Sequence, residues 1–394
     1  AYEMTLGKNN QIPLVSNLGT PPPPPFDTIT ETEISGNDVD IVDQFGSDVW
    51  LDGNYLLVGS RLHNSYTGAA YIFEKENEGW TQKQKLIGSD TNDGAAFGSS
   101  CCISNNYMFI CALELWGNYW PDNAKGSVYV FKNTNGTWNQ VQKIQPNDVV
   151  SKDKFAASIA VDGDYAIIGA TRQNLDKNGN VYIFEKDTEG TWNQVQKIPH
   201  VNSGEFGERV AVSGNYAIVA ARNETSGTQT NVGAAYIFER NTGTGNWNQV
   251  KKIQGSREKT NYYFGYSVSM SGNYAIVGAR DEDTDELSNV GAVYIYKNTN
   301  GSWNEVQKIQ PSDATNNTRF GWDLQIDGSY CVIGSYYKKK AYIFKLDTNG
   351  TWNEIKIITE SYYNDIVGNI VAIDGNNVVL AASSQVDKVY ILEG

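Results

Sequence analysis

The sequence predicts an all-β fold: a seven-bladed β-propeller of four-stranded antiparallel blades, closed by an N-terminal strand. Three observations predict it. A phenylalanine-led phrase returns about every fifty residues, as Phe45-Gly46, Phe97-Gly98, Phe155-Ala156, Phe206-Gly207, Phe264-Gly265, Phe320-Gly321 and, in altered form, Val367-Gly368. A tryptophan series keeps the same period: Trp80, Trp138, Trp192, Trp247, Trp303 and Trp352. Between these marks apolar residues alternate with polar ones, broken by Asp-Gly and Asn-Gly turns; that is the pattern of short strands. A repeat of this length signals stacked units that share one core.

The third repeat displays the unit. Phe155, Ala157, Ile159 and Val161 fall on one face of a first strand, a, by period-two alternation. Asp162-Gly163-Asp164-Tyr165 turns the chain into strand b, Ala166–Ala170. After a loop, Asn180–Phe184 forms strand c. Glu189-Gly190 then makes a two-residue hairpin, as do Asn135-Gly136, Asn300-Gly301 and Asn349-Gly350 elsewhere. Strand d begins at Trp192 and runs to Ile198. Each Trp of the series precedes an apolar residue by six places (Leu86, Ile144, Ile198, Ile253, Ile309, Ile358), an even offset that places both on one face. A buried Trp removes roughly 150–250 Å² from water, worth on the order of 3 kcal/mol or more, so the series is architectural.

Seven strand-a phrases meet six Trp strands, because the last repeat stops at its strand c, Val389–Leu392. The missing strand lies at the other end of the chain, in residues 26–34. Ile34 precedes Phe45 by eleven residues, as Ile144 precedes Phe155. Pairing of residues 26–35 with the strand around Val389–Leu392 closes the ring and removes an exposed edge. The organisation read from the sequence is therefore an N-terminal arm (1–20), a five-proline spacer (21–25) that favours stiff polyproline II, and a propeller (26–394).

Composition narrows the function. A net charge of -14 and a pI near 4.7 argue against nucleic acid and anionic lipid as partners. No run approaches the apolar length of a membrane span, and the first residues lack a basic region followed by an apolar stretch, which predicts no secretory leader. Cys101, Cys102, Cys111 and Cys331 form no disulfide framework and read as buried thiols, with Cys101 and Cys102 on opposite faces of a strand.

In a four-stranded meander the a–b and c–d turns lie at one end of the ring and the b–c and d–a loops at the other. The first set is uniform in length and the second is diversified, which places recognition at the b–c/d–a end. The candidates there are Trp116, Tyr119, Trp120 and Asp122 of the second blade, aromatics suited to a sugar ring or a protein partner, and Arg61, Arg222 and Arg280, which end strand b in register. The arginines admit two readings: rim ion pairs with Asp38, Asp90, Asp148 and Asp313, with Arg172 displaced by one place, or a ring that reads an acidic ligand. The acidic run Asp281–Glu286 reads as a solvated loop, facing Lys338–Lys340, in place of a cation site. His63 and His200 stand outside any nucleophile phrase, and carboxylates meeting across the channel are the one route to an enzyme, a glycosidase. The sequons at Asn135, Asn223, Asn300, Asn316 and Asn349 are compatible with glycosylation, but turn chemistry alone explains three of them.

The Phe-Gly pairs and the later Val277-Gly278-Ala279 resemble the FG-GAP repeats of integrin α-subunit propellers and of microbial and viral propeller proteins, over about residues 26–394. The resemblance implies the propeller fold. Integrin repeats often carry a calcium loop between strands a and b. Here that position holds tight turns such as Ser104-Asn105-Asn106-Tyr107, too short to supply six or more oxygens, so no metal and no cofactor is expected. The expected function is a non-catalytic interaction propeller on a larger assembly, such as a virion or phage appendage. It would be anchored through residues 1–25, with Ile12, Leu14, Val15 and Leu18 as docking residues, and would present a glycan or host-surface ligand site at its variable end. A secreted lectin or adhesion protein and a carbohydrate-active enzyme are the alternatives.

Overall fold

The computed structural model describes residues 26, 29–77, 79–114, 124–151, 153–173, 178–200, 204–257, 259–359, 368–381 and 388–394. Their strands form seven antiparallel sheets of four strands each, each a meander. The third blade runs Phe155–Asp162, Tyr165–Gln173, Asn178–Lys186 and Trp192–Pro199. In the last blade Thr30–Ile34 pairs antiparallel with Val389–Glu393, Ile34 opposite Val389. The N-terminal strand thus closes the ring as expected, although it begins at Thr30 and not at Phe26.

The core is divided among seven apolar clusters, each drawn from two neighbouring blades. One joins blade seven (Ala372, Val379, Val389, Ile391) to blade one (Phe45, Leu56, Tyr71). Because every joint is apolar, burial holds the ring together circumferentially, and the closing joint is built like the rest.

Two recurring bulges correct the simple alternation read from the sequence, one in strand d of six blades and one in strand a of four. In strand d an extra residue sits three places after the Trp, as in blade two, where Val130 pairs with Gln142 but Phe131 pairs with Gln140. An extra residue flips every side chain beyond it. The Trp and the apolar residue six places on therefore lie on opposite faces: Trp138 packs between blades one and two, Ile144 between blades two and three. The bulged residues Val141, Val195, Val250, Val306 and Ile355 stand exposed.

The second bulge explains the Phe-Gly phrase. The register of strands a and b shifts just after it, between Phe155 and Ser158 in blade three, so Ala157 leaves the face shared by Phe155, Ile159 and Val161. At the bulge the second residue takes a left-handed backbone, φ +91° at Gly98 and +87° at Gly265, which favours glycine. A Cβ on Gly98 would also lie 2.4 Å from the Ala69 carbonyl oxygen of the preceding blade. Blade three tolerates Ala156 at φ +67°. The Phe itself is clamped edge-to-face by a strand-c tyrosine in six blades, as in Phe320–Tyr342 at 5.2 Å.

Polar staples lock neighbouring blades. A strand-d glutamine donates to and accepts from the backbone of the next blade's Trp: Gln142 Nε2 donates to the Trp192 carbonyl, and the Trp192 N–H donates to Gln142 Oε1, both at 2.8 Å. Gln84, Gln196 and Gln307 repeat the clasp on Trp138, Trp247 and Trp352. Lys251 stands at the same place in blade four and donates to the Trp303 carbonyl. At the a–b end, Asp162, Asp327 and Asp374 accept from the turn N–H of Gly214, Gly375 and Gly53 in the next blade.

Candidate functional site

The a–b turns are spent on these staples, so the chemistry left over gathers at the opposite end. The residue after each Phe-Gly phrase opens the inner strand at the channel mouth: Ser47, Ser99, Ala157, Glu208, Tyr266, Trp322 and Asn369. Four small or acidic members are followed by two large aromatics and an amide. The aromatics sit side by side on blades five and six, Tyr266 and Trp322, with ring centroids 5.3 Å apart.

Two of the predicted arginines meet there. The Arg280 guanidinium lies 3.9 Å from the Tyr266 ring, 4.5 Å from Trp322 and 5.4 Å from Tyr263. Arg222 lies 5.0 Å from Tyr266 on its other flank and pairs with Glu208 at 3.1 Å and Glu205 at 3.6 Å. Beyond Trp322 come Tyr336 at 5.1 Å and Tyr337 at 5.7 Å, then Arg319, 4.0 Å from Tyr337. The Trp322 indole N–H donates to Asn369 Oδ1 at 2.8 Å and fixes the ring. The result is an arc of cations and rings over blades four to six, held at its Trp322 by the amide of blade seven. Arg61 is apart from it: its Nε donates to Gln44 Oε1 at 2.6 Å, and burial lowers its pKa.

The expected pairing of these arginines with the d–a aspartates is overturned. Asp38 accepts from the Tyr71 hydroxyl at 2.9 Å and from Lys85 at 2.5 Å. Asp90 takes Tyr129 and Lys143, and Asp313 takes Tyr342 and Lys340. The strand-c tyrosine that clamps the Phe thus also anchors the loop. Longer glutamates substitute in blades four and five, Glu224 with Tyr236 and Lys252, Glu282 with Tyr294 and Lys308. Burial raises the Glu224 carboxyl, but bonds from His200, Lys252 and Tyr236 outweigh it and hold the pKa down at about 2.

Three carboxylates of the acidic run, Asp281, Asp283 and Asp285, take partners other than Lys338–Lys340. Asp281 meets Arg280 and Arg319, Asp283 meets Lys259, and Asp285 meets Arg257. Both histidines, read as isolated, have carboxylate partners: His63 Nδ1 lies 2.7 Å from Asp43, and His200 Nε2 lies 3.5 Å from Glu224. Among the described residues no group of three or more His, Cys, Asp or Glu is placed to hold a metal ion. All four cysteines are free and buried, and burial pushes the Cys101, Cys102 and Cys111 thiols well up.

The central channel encloses about 500 Å³ between the strand-a walls. Asp48, Arg209 and Asp323 line it. Asp48 accepts from the Cys101 N–H and Asp323 from the Val371 N–H, each in the next blade. Burial pushes the Asp48 carboxyl up to about 7, against the pull of Arg209, and the Asp323 carboxyl to about 6. These two carboxylates act as joint fasteners whose other side faces the lumen.

Trp116, Tyr119, Trp120 and Asp122 lie outside the described residues, as do Ile12, Leu14, Val15 and Leu18 of the arm and the side chain of Arg172. The sequence reading missed Tyr266, Trp322, Tyr336, Tyr337 and Arg319. The signal available was the place after Phe-Gly, where the repeat holds geometry constant and lets the side chain vary.

Among the described residues no helix is long and apolar enough to cross a membrane. In fold the chain is similar to the periplasmic gluconolactonase of Pseudomonas aeruginosa (TM-score 0.55, 13% identity, 88% of each chain covered). It is also similar to a protein from Lactobacillus plantarum (0.52, 14%, 80% of this chain and 84% of that one) and to Sqt1 of Saccharomyces cerevisiae (0.50, 12%, 91% and 99%). At these identities the likeness is one of fold. Among curated proteins none matches the sequence. Residues 30–73, 80–131, 138–184, 192–238, 247–296 and 303–344 each match the FG-GAP repeat, and the first of these spans the chain from the closing strand through the first Phe-Gly phrase to strand c. The chain belongs to the FG-GAP repeat family.

Proposed function

We propose that this protein is a non-catalytic interaction propeller that receives its ligand at the b–c/d–a end. It is held on a larger assembly, such as a virion or phage appendage, through residues 1–25. One observation carries the reading: the two ends of the ring are built differently. At the a–b end, recurring Asp and Ser side chains staple one blade to the next. At the other end, the equivalent place after Phe-Gly runs from Ser to Glu to Tyr to Trp, and arginines lie over the rings. Variation on a rigid frame is how binding faces are made. The titratable groups support a binding role as well, since both histidines and the d–a carboxylates are engaged in loop anchoring. A propeller lectin without an assembly shares this face, and the gluconolactonase fold is the basis for the enzyme alternative.

The test is binding of the intact protein to a glycan panel and to host-cell surfaces, together with a density map of any particle that carries it. The proposal expects binding without turnover and density for residues 1–25 against the particle. Carbohydrate turnover that survives purification and is abolished by substituting a channel carboxylate would replace it with the enzyme. Glycan binding by a protein found free of any particle would replace it with the lectin. Changes at Trp116, Tyr119 and Trp120 that weaken binding with unchanged melting would extend the face to blade two.

A further inference from the structure

We propose that the shelf made by Arg280, Trp322, Tyr336, Tyr337 and Arg319 is a subsite for a carboxylated pyranose, the acidic sugar of sialylated and uronic-acid glycans. This rests on the recognition reading and gives its ligand a chemical class.

The rings come first. Tyr336 and Tyr337 form a one-turn 3-10 segment in place of the longer b–c loops of blades four and five. With its loop reduced to a turn, blade six leaves Tyr337 53% exposed. Its ring carries the Trp322–Tyr336 stack out to solvent. Tyr336 and Trp322 stand behind it at 5.4 and 5.7 Å and hold it upright. A pyranose offers an apolar C–H face to such a ring and hydroxyls to its phenol edge.

The charge comes second. Asp281 is shared by two guanidiniums, Arg280 Nε at 3.2 Å and Arg319 Nε at 2.8 Å, so one positive charge is left over at the shelf. The neighbouring acids have cations of their own: Glu282 has Lys308, Asp313 has Lys340, and Glu205 and Glu208 share Arg222. The charge that Arg280 and Arg319 leave unmatched over their one shared carboxylate favours an anionic group at the shelf itself. Guanidinium forks take carboxylates in two-pronged fashion, and stacking on Tyr266 and Trp322 holds the Arg280 fork in place.

The experiment measures affinity of the full chain for 3′-sialyllactose and for tetragalacturonate, which separate the two sources of acidic sugar. Lactose and methyl-esterified tetragalacturonate are the uncharged counterparts. The variants are Tyr337→Ala and Arg280→Lys, with melting recorded for each. The expected result is binding of one or both acidic sugars, at least about tenfold tighter than the uncharged partner, and about tenfold lost in either variant. Tyr337 is exposed, so its variant decides the matter even where Arg280→Lys melts early. Equal affinity for charged and uncharged sugars overturns the proposal. Acidic-sugar binding unchanged in Tyr337→Ala also overturns it but leaves the recognition reading standing, with the site elsewhere on the face. Panel and cell-surface experiments that find no ligand of any kind overturn both.

Discussion

Replacing Gln142 by Leu removes a two-bond clasp between the outer strands of blades two and three and keeps the size of the side chain. Its amide holds both backbone groups of Trp192 at 2.8 Å. Trp192 itself is buried against Tyr107 and Phe109. Each net hydrogen bond contributes about 0.5–1.5 kcal/mol, so losing both costs about 1–3 kcal/mol, and the half-buried glutamine points to the lower half of that range. In a chain of this length 1 kcal/mol moves Tm by only on the order of 1 °C, so melting is a poor readout. Amide hydrogen exchange is a sharp one: the Trp192 N–H should lose protection in Gln142→Leu, while the Trp138 and Trp247 amides, clasped by Gln84 and Gln196, keep theirs. The reciprocal change is Lys251→Gln. The lysine supplies a donor to the Trp303 carbonyl but no acceptor, and glutamine supplies both, so protection at the Trp303 N–H should rise. Unchanged exchange at Trp192 in the first variant would refute the clasp.

Three further outcomes follow from the same structure. Deleting residues 1–35 removes Thr30–Ile34 and bares the edge of Val389–Glu393, so the truncated chain should aggregate or unfold; a monomer with unchanged melting would contradict closure. Chelator should leave Tm unchanged, because the a–b turns hold two residues, as between Asp52 and Tyr55; a large drop restored by calcium alone would contradict this. Asp48 and Asp323 bind a proton more tightly folded than unfolded, where the value is near 3.8. Their contribution to stability is therefore full at low pH and lost as pH rises through about 6 to 7. Asp48→Asn should raise Tm more at about pH 8 than at about pH 5, and an equal shift at both would refute the assignment.

The fold was legible because it is repeated. A single strand of alternating residues is ambiguous, but Phe, turn, Trp and spacing return together, and the eleven-residue offset from Ile34 to Phe45 located the closing strand. The bulges were not legible. Parity arguments assume one residue per step, and the extra residue at Val141 or beside Ala157 leaves no mark in composition. Side-chain pairing was legible only in part. Asp38 was correctly placed in the d–a loop, but its partners Tyr71 and Lys85 come from strands c and d, so the clamp depends on sheet register and not on sequence distance. The shelf was missed for a similar reason: Arg280, Trp322 and Tyr337 are far apart in the chain and belong to two blades, and their meeting follows from the ring's curvature. What the sequence did expose was the end of the ring on which such meetings occur.

Oriented capture tests the central claim that one end of the ring does the binding. Two variants, each with one added cysteine, carry the tether, one at Asn349 in an exposed c–d turn and one at Asn316 in an exposed d–a loop, with the four buried cysteines left in place. Both are presented to the same glycan panel and cell surfaces. The account predicts binding when the chain is held by residue 349 and its loss when held by residue 316. Equal binding in both orientations, or binding through the residue-316 tether alone, would contradict it.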